Sequence, residues 1–175
     1  MPVYEMNGRR PQIGEGTWIA PSAEIIGDVR IGRNCYIGFG AIIRGDYGTI
    51  TIGDESAIEE AVVIHARPMQ RADIGYRVTV GHMALIHNAT VRDWAVIGMH
   101  AVVSDYSEVG EWAIIAEHSL VKRKQVIPAG QIYGGSPAAL IGPVEERHRQ
   151  NWTLGKQAYV DLAAQCLSSR LSRID

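Results

Sequence analysis

The sequence is short of cysteine, with only Cys35 and Cys166 in 175 residues. The two lie far apart and fit no C-x-x-C spacing, so a disulfide framework and a thiolate metal site are both unexpected, and the pair reads as reduced, packed thiols. Blocks of like charge are also missing. Seventeen Lys and Arg stand against 19 Asp and Glu, for a net charge of −2. Without a basic patch there is no electrostatic footprint for nucleic acid or for an anionic membrane surface. Long apolar runs are absent too: the first residues, "MPVYEMNGRRPQIG", lack the apolar centre of a signal peptide, and nothing later approaches the roughly 20 residues that span a bilayer. These absences lead to the expectation of a cytoplasmic protein whose partner is a small molecule or another copy of itself. At 175 residues, one buried core with an appendage is expected rather than two domains.

What the sequence does have is a period. Aliphatic residues recur every six positions at Ile13, Ile19, Ile25, Ile31, Ile37 and Ile43, and again at Ile97, Val103, Val109, Ile115, Val121 and Ile127. A small residue often follows, as in Ile31-Gly32, Ile37-Gly38 and Ile97-Gly98. This hexad predicts an all-β fold, a parallel β-helix in which each side of a triangular prism takes one short strand and one tight turn. Three hexads make one coil, and coils stack at a strand spacing of roughly 4.8 Å. The prism is expected over residues 11–136, after an N-terminal extension over 1–10. "RGDYGTI" and "HARPMQRAD" carry extra residues that read as outer loops. Beyond Ser136-Pro137 the hexad stops. From there to 175 the chain reads as a helical segment, with Trp152, Tyr159, Leu162, Ala163, Cys166 and Leu171 on one apolar face packed against the prism.

The same count places the histidines. In "VGHMALIH", His82 and His87 are five residues apart, a spacing that neither a strand nor a helix would bring to one metal. On the prism, Ile43, Ile64 and Ile86 stack in successive coils, so Arg44, His65 and His87 form a column one residue later. His65 and His87 then lie close enough for both imidazoles to reach one cation at about 2.0–2.1 Å. His82, two residues after Val80 and above Glu60, belongs to the previous side and would complete that site only from a neighbouring subunit. Any one of these histidines alone reads as readily as a surface side chain. Three neutral imidazoles with an open fourth position describe a catalytic zinc site, where a bound water has a pKa of about 7. Zinc, cobalt and ferrous iron all suit such a ligand set. A flat-sided prism with outward aliphatic residues also suggests self-association, with a trimer expected.

At "RGDYGTI", "VVIH" and "VGHMALIHNATV" the chain resembles the γ-class carbonic anhydrase family, and it is similar to the bacterial members associated with phenylacetate and carnitine catabolism. The resemblance implies a left-handed parallel β-helix, an exception to the usual right-handed crossover, assembled as a homotrimer with metal sites between subunits. It implies reversible hydration of CO2, His65, His82 and His87 as metal ligands, and Arg44 with Asp46 as an interface ion pair that orients the site. The chain departs from the family pattern at Glu59-Glu60, where Gln-Asp is usual, and at Tyr47, where the methanogen-type enzymes carry a catalytic glutamate. Glu59 is therefore a candidate base or proton relay, or else a solvated rim carboxylate. His100 is a candidate shuttle, with surface packing as its alternative, and Tyr133 of "IYGGSPA" is a candidate to reach the site. Two competing functions stay open: an acyl-CoA thioesterase or acyltransferase of the hexapeptide superfamily, and a non-catalytic, metal-stabilised trimer.

Overall fold

The computed structural model of the protein describes residues 3–168 and 174. The inward hexad residues from Ile19 to Ile127 form one continuous core, each at most 4% exposed, while Ile13 is half-buried at the end of the stack. The result is a parallel β-helix of three sides. One side stacks the start of Glu24–Ile31, the start of Ile42–Ile52, Val63–His65, Leu85–His87, Val102–Val103 and Leu120–Val121. A second stacks Gln12–Ile13, the ends of those same two long strands, Arg71–Ile74, Thr90–Val91, Glu108–Val109 and Val126–Ile127. The third runs from Trp18–Ile19 through Tyr36–Ile37, Ala57–Ile58, Thr79–Val80, Val96–Ile97 and Ile114–Ile115 to Gln131–Gly134.

The corners are stacked turns that need a residue with positive φ. Met83, His100 and His118 supply it at one corner, Asn88, Tyr106 and Lys124 at another, and Arg77, Trp94 and Trp112 at the third. Each such non-glycine residue costs about 1 kcal/mol, and the ladder between coils holds it in place: the His100 N–H donates to the His82 carbonyl at 3.0 Å.

The three residues that "RGDYGTI" adds to the hexad bulge out at a corner of the prism, with Tyr47 exposed. Ile42–Ile52 crosses that corner from the first side to the second; its pairing with Glu24–Ile31 stops at Gly27–Gly45 and resumes, three residues out of step, at Val29–Ile50. Gly45 sits where the two strands close on each other, and a Cβ there would lie 2.5 Å from the Asp28 carbonyl oxygen. The second insertion is a short turn at Pro68–Met69 followed by Arg71–Ile74. The leading segment also joins the sheet, with Val3–Tyr4 parallel to Ile25–Ile26.

At the other end Ala139–Pro143 folds back antiparallel to Gln131–Gly134, and the helix Glu146–Ser168 packs along the third side. Tyr159, Leu162, Ala163 and Cys166 face the prism; Leu171 lies outside the described residues. Between them Lys156 is buried to 1% exposure, its Nζ donating to Thr79 Oγ1 and to the Ala95 carbonyl, both at 3.1 Å. Among the described residues no helix is long and apolar enough to cross a membrane. Both cysteines are free, and burial pushes the Cys35 thiol up to about 11.

Candidate metal centre

Strand register builds the column that the hexad count predicts: Arg44 pairs with His65, and His65 with His87. Their rings meet. His65 Nδ1 and His87 Nε2 are 3.1 Å apart. Each ring is held from behind by a carboxylate, with His65 Nε2 2.9 Å from Asp46 Oδ1 and His87 Nδ1 3.0 Å from Asp105 Oδ1. An ionised carboxylate only accepts hydrogen bonds, so these contacts place the protons on His65 Nε2 and His87 Nδ1. The two nitrogens that face each other therefore both present lone pairs. Such a contact is repulsive unless a proton or a cation sits between them. Two ligands at 2.0–2.1 Å on a tetrahedral ion stand about 3.3 Å apart, so the pair has the spacing and the tautomers that a shared metal requires. A carboxylate behind each ring is the usual arrangement around a ligating imidazole.

Asp46 is 5% exposed. Burial works to raise its pKa, but the His65 hydrogen bond, the charge of Arg44 and the backbone N–H of Tyr47 together hold it below the usual carboxylate range. Its other oxygen takes the Arg44 guanidinium, so the ion pair of the Arg-Gly-Asp motif closes within one chain. Asp105 is likewise held low, chiefly by its hydrogen bond from Arg67.

His82 lies on a different corner, between the third side and the first, in the turn before Leu85–His87. Its Nε2 is 3.0 Å from Glu59 Oε2 and its Nδ1 is 2.7 Å from Glu60 Oε2. Ligation through either nitrogen would release one carboxylate and keep the other as the orienting group. Glu59 is 5% exposed; burial raises its pKa, against the hydrogen bond from the Tyr159 hydroxyl and the contacts to His82. Glu60 also accepts from the Tyr36 hydroxyl at 2.8 Å. Among the described residues no three His, Cys, Asp or Glu converge on one point within the chain.

Two further sequence candidates stand away from these groups. Tyr133 pairs with Ile115, so it extends the inward column at the end of the prism, three strands along the third side from Val80. The tyrosine that does reach Glu59 is Tyr159, from the helix, which sequence periodicity marks only as an apolar-face residue. His100 is exposed and stacks on His118 with ring centroids 4.8 Å apart. A cleft of about 500 Å³ opens beside His82 and Glu59, floored by Ile97, Ile114 and Ile132 and roofed by Trp152 of the helix.

The family profile for bacterial transferase hexapeptide repeats (six repeats) matches residues 10–45. Gamma carbonic anhydrase 2, mitochondrial, of Arabidopsis thaliana is 34% identical over 161 residues, covering 89% of this chain but 58% of the relative, so the chain spans little more than half of that protein. The carnitine operon protein CaiE of Salmonella newport (strain SL254) is 32% identical, with 95% of this chain and 84% of the relative covered. Among solved structures, a hexapeptide transferase family protein from Anaplasma phagocytophilum superposes with a TM-score of 0.90 at 29% identity, covering 94% of this chain and 98% of that one.

Proposed function

This chain belongs to the γ carbonic anhydrase and CaiE family of hexapeptide-repeat proteins, and from that membership we propose a metal-dependent enzyme that hydrates CO2 reversibly to bicarbonate in the cytoplasm. The observation that carries this reading is the approach of His65 Nδ1 to His87 Nε2 at 3.1 Å, each ring backed by a carboxylate. The third ligand in this reading is His82 of a neighbouring subunit in a cyclic homotrimer, as His82 stands on a different corner from the His65–His87 column. An outward stripe of half-buried Ile42, Val63, Leu85, Val102 and Leu120 runs beside the His65–His87 column and supplies an apolar face for that contact.

An all-imidazole site suits zinc, with iron or cobalt as alternatives, and the ion supplies Lewis acidity sufficient to make hydroxide available near pH 7. The chain's own residues do the rest. Asp46 and Asp105 fix the two tautomers. Glu59, buried and held by Tyr159 and His82, is placed to accept and release a proton at Oε2. Glu60 holds the His82 ring from its other nitrogen.

A second reading is favoured by the apolar cleft beside His82, which is far larger than CO2 needs: hydrolysis or transfer of an acyl thioester at the same centre. Metal analysis and stopped-flow CO2 hydration on anaerobically purified protein test the first reading. About one metal per chain and chelator-sensitive hydration are expected. No metal in any preparation, with assembly unchanged in His65→Ala, would overturn it. Acyl-CoA hydrolysis that survives chelation would favour the second reading, and bound metal without turnover would mark a metal-stabilised scaffold.

A further inference from the structure

The Arg-Gly-Asp motif gives His65 its orienting carboxylate, and the structure carries a second set of the same kind for His87. Asp105 Oδ1 lies 3.0 Å from His87 Nδ1. The Arg67 guanidinium grips Asp105 at both oxygens, with Nη2 3.1 Å from Oδ2 and Nε on Oδ1. The Arg67 backbone N–H donates to Asn88 Oδ1 at 3.2 Å, which ties the same turn to the residue after His87. Arg67 and Asp105 are 38 residues apart and meet only because the coils stack. The register makes the contact possible: Ile86 to Val91 is one residue shorter than Val103 to Val109 in the next coil, and Asp105 of the longer turn reaches back to the His87 ring.

We infer that Arg67 and Asp105 are positioning residues that set the tautomer and aim of His87, as Arg44 and Asp46 do for His65. The inference rests on the metal reading above, and the chemistry is direct. Free histidine in water prefers its proton on Nε2, which would cap the lone pair that must face His65. An acceptor-only carboxylate at Nδ1 moves the proton there. Arg67, bound through two nitrogens, fixes the plane of that carboxylate, which a lysine, a point charge, would not. The two sets differ in exposure: Asp46 is 6% exposed at its side chain and Asp105 15%.

The test is zinc affinity of the assembled protein, read by competition with a chromogenic chelator, for Asp105→Asn, Arg67→Met and the double variant. Asp105→Asn should lose about 10- to 100-fold in affinity, the range found for groups that orient metal-bound imidazoles, with the melting temperature of the metal-free protein unchanged. Arg67→Met should lose less and add nothing in the Asp105→Asn background. Glu108→Gln, which breaks the exposed pair with Arg92, should match the parent. In the metal-free parent, nitrogen NMR should show His87 with its proton on Nδ1, and Asp105→Asn should shift it toward Nε2. Unchanged affinity in Asp105→Asn, or an unchanged tautomer, would overturn the inference. A parent that takes up none of zinc, iron or cobalt would overturn the metal reading instead, and the tautomer would still decide whether Arg67 and Asp105 position His87. If Asp105→Asn fails to assemble, Arg67→Met decides alone: parental affinity and tautomer in that variant would overturn the role of the pair.

Discussion

Replacing Lys156 with Met removes an amine fully buried beneath the C-terminal helix. In the folded protein, burial and the nearby charge of Arg77 lower the Lys156 pKa from 10.5 to about 7. The unfolded chain thus binds more protons than the folded one between about pH 7 and pH 10.5. Stability must rise with pH across that window; the contribution is complete above the unfolded value and lost as the pH falls through about 7. At about 1.4 kcal/mol per pH unit, the swing is on the order of 5 kcal/mol. Lys156→Met abolishes the swing but leaves the Thr79 hydroxyl and the Ala95 carbonyl without the amine, at a cost of about 1–3 kcal/mol. The variant should therefore be less stable than the parent near pH 10 and lose that disadvantage toward pH 7. Urea unfolding at fixed protein concentration, repeated at pH 7, 8, 9 and 10, measures the difference directly. Parallel pH profiles for parent and variant would refute the burial of an uncharged amine.

Other substitutions separate the groups around the centre from those that only shape the prism. Gly45→Ala should cost about 1–3 kcal/mol in stability by thermal melting, because its Cβ would meet the Asp28 backbone where two strands cross the corner. Tyr159→Phe should lower the CO2 hydration rate at constant metal content while Tyr133→Phe leaves it unchanged, since only Tyr159 reaches Glu59. Glu59→Gln should keep the metal and lower turnover by about 100-fold or more if its carboxylate carries the proton; full activity in stopped-flow would remove it from the reaction.

The prism is legible in the sequence because its cause is repeated: the same inward aliphatic position is filled a dozen times, and miscounting one coil cannot hide it. The Arg44, His65 and His87 column follows from that count, and strand register reproduces it. What the period cannot reveal is what breaks it. The count finds the three extra residues of Ile42–Ile52 but not that pairing runs up to Gly27–Gly45, where the backbones close, and resumes at Val29–Ile50, a contact between coils that no local pattern announces. Arg67 and Asp105 escape notice for the same reason, as their meeting depends on a one-residue difference between neighbouring turns. Lys156 and Tyr159 are helix residues whose importance comes from the prism side that they face. Helical spacing alone marks Lys156 as polar and Tyr159 as core, yet the first is the more deeply buried.

The central claim is that each metal is held by two histidines of one chain and one of the next. Co-expressed His65→Ala and His82→Ala chains test it most directly, with metal content measured on the purified mixed assemblies. Each variant alone should bind no metal. In a cyclic trimer, every mixed assembly should contain one junction where an intact His65–His87 pair meets an intact His82, so statistical mixing should restore about one site in four. Mixed assemblies that bind no more metal than either parent variant would contradict a site shared between subunits.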